Sequence, residues 1–144
     1  MIHRVFTQTP TPGADLAAFE RNAERFFAAS LRSLPAPQGA NKLLLTSRRG
    51  VEGSFTLRQR PRSPEDMELA RDAEAAGRAA GMAALAERCQ NVWLIEPEPG
   101  TPEAATLLLC AIVASAALGP VLPPDAASLY GVRGAMERRE RLLG

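Results

Sequence analysis

Histidine, lysine and aromatic residues are scarce in this chain of 144 residues, which has one histidine, one lysine and 5% aromatic residues. So few aromatic side chains offer little surface on which nucleic-acid bases could stack. Zinc and iron–sulfur sites need a cluster of histidine or cysteine ligands, and the one histidine, His3, stands alone near the amino terminus. We therefore predict no metal site and no cofactor.

Cysteine is also rare, since the chain has only Cys89 and Cys110. Two cysteines in a chain of this length do not make a disulfide framework. Cys110 lies in an apolar stretch, where a thiol has a raised pKa and is unreactive. The polar, proline-rich residues after Met1 do not resemble a signal peptide. These observations predict a reduced, cytoplasmic protein. Nucleophilic catalysis needs a base close to the nucleophile, and a single histidine near the terminus is a poor basis for it. Whether the chain is an enzyme remains open, with non-enzymatic function favoured.

Charged residues are missing between residues 104 and 124, where the chain is most hydrophobic. The strongly apolar part of this stretch, residues 107–118, is shorter than the roughly 20 residues that a membrane-spanning helix needs. Proline follows at positions 120, 123 and 124 and interrupts the rest. The length favours a helix buried in the protein core, with no membrane as partner.

Hydrophobic periodicity predicts strands at residues 1–8, 42–48, 54–60 and 92–95. It predicts helices at residues 14–34, 63–88, 104–118 and 126–143, the second of which begins with the capping sequence Ser63-Pro64-Glu65-Asp66. We predict a single α+β domain over residues 1–144, with helices packed on a mostly antiparallel sheet. The first six elements fit the βαββαβ pattern of ferredoxin-like domains, followed by two extra C-terminal helices. In the core we expect Trp93, Leu94, Ile95 and Leu109 to pack against Phe19, Phe26 and Phe55.

Basic residues concentrate in the predicted hairpin, residues 42–62. Five arginines there are candidates for contact with an anion or a partner: Arg48, Arg49, Arg58, Arg60 and Arg62. Positive charges at alternating positions of a sheet can follow a phosphate backbone. They can equally form a solvated face that protects a sheet edge from mispairing, and this second interpretation is favoured.

The chain ends in a predicted docking tail, residues 125–144, in which Leu129, Val132 and Met136 share one side of a helix. We expect these side chains to dock on their own domain or on a partner. Residues 1–62 carry a formal charge of +6 and residues 63–144 a charge of −5. The two halves can neutralise each other within one chain or pair between chains. Because closed two-fold assemblies are the commonest, we predict a homo-oligomer, most simply a dimer.

Three function classes remain open on the sequence alone. The leading hypothesis is a small non-enzymatic protein that acts through contacts with proteins, including itself. The second is a small enzyme or ligand-binding domain with a pocket between sheet and helices. The third is nucleic-acid binding through the arginine-rich hairpin. A concave pocket lined by convergent polar groups would favour the second class.

Overall fold

The computed structural model describes residues 1–9, 12–48 and 51–144. Within these residues the fold is α+β, with six strands in one antiparallel sheet and five helices. The strands are β1 (His3–Thr7), β2 (Ala29–Leu34), β3 (Asn41–Ser47), β4 (Glu52–Pro61), β5 (Asn91–Pro97) and β6 (Val121–Leu122). The helices are α1 (Pro12–Phe26), α2 (Pro64–Gly77), α3 (Met82–Glu87), α4 (Glu103–Ala117) and α5 (Val132–Leu143). The predicted class, helices on a mostly antiparallel sheet, is confirmed.

The sheet has the strand order β2-β3-β4-β5-β1-β6. Strands β2 to β5 lie side by side in sequence order. Strand β1 lies between β5 and β6 and pairs with both. The sheet contains two strands more than the four of a βαββαβ unit, so the ferredoxin-like pattern is not confirmed. Two helices, α4 and α5, do follow β5.

Helices cover both faces of the sheet. On one face α1 and α4 pack over side chains from β1 to β5, with α5 packed against α4, and this larger core contains Phe19, Trp93 and Leu109. On the other face α2 and α3 pack over β1, β5 and β6, where Phe6 and Val92 are buried. Helix α4 is buried from Ala104 to Ala114 and again at Ala117, as its apolar sequence predicts.

Two predicted core positions differ in the structure. Phe26, at the last turn of α1, is 65% exposed, and the guanidinium of Arg25 lies over its ring. Leu94 is only half-buried and faces α2 and α3 rather than α4. The period of two in β5 explains the second difference, because Trp93 and Ile95 both point to α4 and Leu94 must point away.

The predicted helix over residues 14–34 is wrong in its second part, since residues 29–34 form the strand β2. Helix α1 ends at Phe26, and Ala28 then adopts a left-handed backbone conformation with φ of 52°. After this bend Ala29 and Leu31 point inward while Ser30 and Arg32 are exposed. The hydrophobic residues of this stretch fit both the helical period of 3.6 residues and the strand period of two. The helical pattern therefore conceals the strand.

The predicted helices over residues 63–88 and 126–143 also begin or end differently. Arg78 and Gly81 have positive φ and divide the first into α2 and α3. The second begins only at Val132, because Gly131 has an extended backbone. Residues 126–131 approach β6 instead, where Tyr130 forms a bridge with Val121.

Candidate functional site

A cleft of about 700 Å³ opens where β1 begins, at one end of the sheet. The first turn of α4 and the carboxyl-terminal half of α5 form its walls, together with the loop at residues 123–128. It is lined by Met1, His3, Pro97, Thr101, Glu103, Thr106, Leu107, Pro123, Pro124, Asp125, Ala127, Ser128, Tyr130, Arg138, Arg141 and Leu142. Ligand sites in proteins are typically clefts of about 300–1,000 Å³ with mostly apolar walls and a few convergent polar groups. The volume of this cleft falls within that range, and its lining combines apolar side chains with several polar ones.

Strand pairing places His3 and Tyr130 on the same side of the sheet. Val5 pairs with Val121 in the adjacent strand, and Val121 exchanges two backbone hydrogen bonds with Tyr130, of 2.7 and 3.2 Å. Val5 and Tyr130 both lie in the larger core under α4, and His3 is two residues before Val5 in the same strand. Side chains two residues apart in a strand share a face, so His3 also points toward α4.

The loop at residues 123–128 is fixed against α2 and α5. A β-carbon on Gly77 would overlap Ser128, so glycine is needed at this end of α2 for the loop to lie so close. Arg138 of α5 donates a hydrogen bond of 2.8 Å to the hydroxyl of Ser128 and one of 3.1 Å to the carbonyl of Gly134. These contacts hold the cleft wall in place.

His3 is the most unusual residue of the cleft, because it is 7% exposed and its Nδ1 is enclosed without a hydrogen-bond partner. Burial lowers the pKa of its imidazole to about 4, against an opposing effect of Asp125 and a further lowering by the amino terminus. The ring is therefore neutral at pH 7. A neutral imidazole carries one donor and one acceptor nitrogen, and within the described residues the Nδ1 of His3 has no partner.

Tyr130 is the second buried polar residue, with 5% of its surface exposed. Burial raises the pKa of its phenol above the ordinary value, as do Cys110, Asp125 and Glu103, so the hydroxyl stays protonated. The positive charge of Arg138 opposes this rise, and its guanidinium lies 4.0 Å from the centre of the ring. Among the described residues no hydrogen bond involves the phenol hydroxyl, which leaves it available to a ligand.

Three of the arginines flagged in the sequence have defined places outside the cleft. Arg60 forms two hydrogen bonds with the buried carboxylate of Asp66, of 2.6 and 2.9 Å. Arg62 donates to the carbonyls of Ala86, Glu87 and Cys89, where α3 ends. Arg58 is exposed on the sheet surface. The first two thus stabilise their own chain.

The remaining flagged residues are also away from the cleft lining. Arg48 is exposed beside the end of β3, and Arg49 lies outside the described residues. Leu129 is 2% exposed and belongs to the core under α2 and α3. Val132 and Met136 are partly buried against the larger core. The three tail residues therefore contact their own chain, on two different faces of the sheet.

A separate polar cluster surrounds Asp15, which is 2% exposed near the start of α1. Its carboxylate accepts hydrogen bonds from Trp93 Nε1 at 2.9 Å and Gln59 Nε2 at 3.2 Å. It also accepts one from Thr9 Oγ1 at 2.5 Å. Because these donors satisfy the carboxylate, the cluster joins α1 to the sheet and leaves no group for a ligand.

The two thiols and the acidic residues supply no further site. Burial raises the pKa of Cys89 to about 11 and raises that of Cys110 further, so both stay protonated at neutral pH. In the part of the chain that the structure describes, no three His, Cys, Asp or Glu side chains are grouped to hold a metal ion. None of the helices in that part is long and apolar enough to cross a bilayer.

The residues of the cleft are ones that the sequence did not single out. They come from three distant segments, residues 1–3, 97–107 and 123–142, which only the strand pairing brings together. The one available signal was that the only histidine and the only tyrosine both lie beside apolar residues. Comparison with known proteins gave no match, whether with family models, curated proteins or solved structures.

Proposed function

We propose that this protein binds a small molecule in the cleft and that His3 contacts the bound ligand. The observation that carries this proposal is the buried imidazole of His3, which lines the cleft and whose Nδ1 has no hydrogen-bond partner among the described residues. Leaving a buried donor or acceptor unsatisfied costs about 1–3 kcal/mol, and unsatisfied groups are uncommon in native structures. Because His3 lines the cleft, we expect a bound ligand to contact its ring.

The cleft supports binding more strongly than covalent catalysis. Nucleophilic catalysis needs a hydroxyl or thiol within hydrogen-bond reach of a base. Among the described residues no hydrogen bond joins His3 to Ser128, whose hydroxyl accepts from Arg138 instead. Thr106 donates to the carbonyl of Pro102, at 3.5 Å. The arrangement is that of a polar pair within an apolar binding site.

A screen of small fragments by two-dimensional NMR tests this proposal. We expect fragments to shift resonances of His3, Leu107 and Ala127 together, because all three line the cleft. Ala127→Trp should abolish these shifts, since a large side chain at this exposed position would fill the cleft. Ala75→Trp, at an exposed position of α2 outside the cleft, is the matched control and should leave the shifts unchanged. Shifts that are absent, or that persist in Ala127→Trp, would contradict the proposal.

Self-association is a second proposed function, supported by the uncovered surface of the sheet. The core under α2 and α3 includes no side chain of β2, β3 or β4 among the described residues. The outer surface of these strands carries the exposed Arg32, opposite the half-buried Leu44, and the exposed Arg58, opposite Leu94 of β5. The same surface could contact another protein or the phosphates of a nucleic acid. We favour a second copy of the chain because its acidic half offers the complementary charge.

A further inference from the structure

Polar groups in the cleft are arranged by depth. The three buried polar side chains, His3, Thr106 and Tyr130, carry groups that are uncharged at neutral pH. The charged side chains of Glu103, Asp125 and Arg141 are exposed at the rim, where both signs of charge occur. One cation lies closer in, because the guanidinium of Arg138 is 4.0 Å from the centre of the Tyr130 ring, but two of its nitrogens already donate to Ser128 and Gly134. The depth of the cleft around His3 is thus polar but uncharged, whereas its entrance can accept either charge.

The physical cause of the uncharged interior also constrains a ligand. Burial disfavours the protonated form of His3 and the ionised form of Tyr130, since transfer of a charge from water into a less polar site is costly. The same cost applies to any charged ligand atom beside them. In the described residues no charged side chain forms a hydrogen bond or ion pair with the imidazole of His3, so no contact is in place to offset it.

Resting on the proposed function, we infer that the ligand enters the cleft with an uncharged hydroxyl or carboxamide group that hydrogen-bonds to His3, with Tyr130 as the second partner. Both ligand groups combine a donor with an acceptor, as a neutral imidazole and a phenol also do. The rest of the ligand is apolar and packs against Leu107 of α4 and Pro123 of the loop, which line the same cleft. A carboxylate or an ammonium group is rejected beside His3.

Two pairs of probes with the same ring test this ligand class at pH 7. Benzamide is compared with benzoate, and benzyl alcohol with benzylammonium, by NMR titration of the full chain. We expect each neutral probe to bind in the cleft at least about ten-fold more tightly than its charged counterpart, equivalent to about 1.4 kcal/mol. Equal or tighter binding of benzoate or benzylammonium in the cleft would overturn the ligand class and leave the proposed function standing. If none of the four probes shifts cleft resonances, the proposed function itself is contradicted.

Two variants separate hydrogen bonding from simple filling of space. Tyr130→Phe removes only the hydroxyl and keeps the ring on which Arg138 lies. It should weaken benzamide binding several-fold without changing benzoate binding. His3→Leu should abolish the preference for the neutral probe. A preference that is unchanged in both variants would overturn the assignment of His3 and Tyr130 as ligand partners.

Discussion

His3 lowers the stability of the fold when pH falls. The unfolded imidazole takes up a proton near pH 6.5, whereas the folded imidazole does so only near pH 4. Between these values the unfolded state binds more protons, so the free energy of unfolding decreases as pH is lowered. The difference amounts to roughly 3 kcal/mol at about pH 4, because one pKa unit corresponds to about 1.4 kcal/mol.

We predict that His3→Leu is as stable as the wild type or more stable at pH 7, and that it lacks this pH dependence between pH 6.5 and 4. Urea unfolding of both proteins at several pH values measures the difference. Asp66 titrates alike in both, since hydrogen bonds from Arg60 and Ser63 outweigh its burial and hold its pKa below 3.8. Its contribution is lost only at lower pH. Parallel pH profiles of the two proteins would contradict the account of His3.

Two arginines of β4 give a matched pair of substitutions. Arg60→Met removes two hydrogen bonds from the buried Asp66, whose remaining charged neighbour Arg4 is 3.6 Å away. We expect a loss of about 1–3 kcal/mol, less than for a fully buried pair because the Arg60 side chain is 36% exposed. Arg58→Met changes an exposed residue and should alter stability by at most about 0.5 kcal/mol. Equal effects in thermal melts would show that the Arg60–Asp66 pair is not structural.

Among the elements, those with a single clear period could be predicted from sequence. The alternation of Phe55 and Leu57 predicts the inner face of β4, and both side chains are fully buried. Strand β2 could not be predicted, because its sequence also continues the helical stripe of α1 and the bend at Ala28 contains no glycine or proline. Strand β6 has only two residues, too few for any period. The cleft could not be predicted either, because β6 is the strand that places Tyr130 beside β1.

Helix α4 ends at a residue that has a left-handed backbone but is not glycine. Leu118 follows the helix with φ of 60° and its side chain is 60% exposed. Glycine adopts this left-handed conformation without the strain of about 1–2 kcal/mol that other residues incur. Leu118→Gly should therefore be neutral or raise the melting temperature. Ala75→Gly, at an exposed position inside α2, should instead cost about 1 kcal/mol. A clear loss of stability in Leu118→Gly would contradict the left-handed helix end.

Some basic side chains of residues 1–62 already pair with acidic side chains of residues 63–144 within one chain. Arg60 pairs with Asp66, and Lys42 lies 3.8 Å from Glu98. Among the described residues no ion pair involves the exposed Arg32 or Arg58, and we propose that these two side chains contact a second copy. We predict a dimer at low salt that dissociates as salt is raised, because screening shortens the range of exposed charges to about 8–10 Å.

Sedimentation of the Arg32→Glu, Arg58→Glu double variant checks this prediction. The double variant should be monomeric at low salt. Arg71→Glu combined with Arg78→Glu makes the same change of charge at exposed positions of α2 and its end, and should leave association unchanged. A wild-type protein that stays monomeric at high concentration in low salt would contradict self-association through this surface.

The chain contains one histidine, so the imidazole signals in a nitrogen NMR spectrum come from His3 alone and report on the cleft that it lines. We predict that His3 titrates near pH 4, well below an exposed imidazole, and that a neutral ligand such as benzamide shifts its ring resonances at pH 7. Titration near pH 6.5, together with ring resonances that no ligand moves, would contradict the claim that the cleft is a binding site.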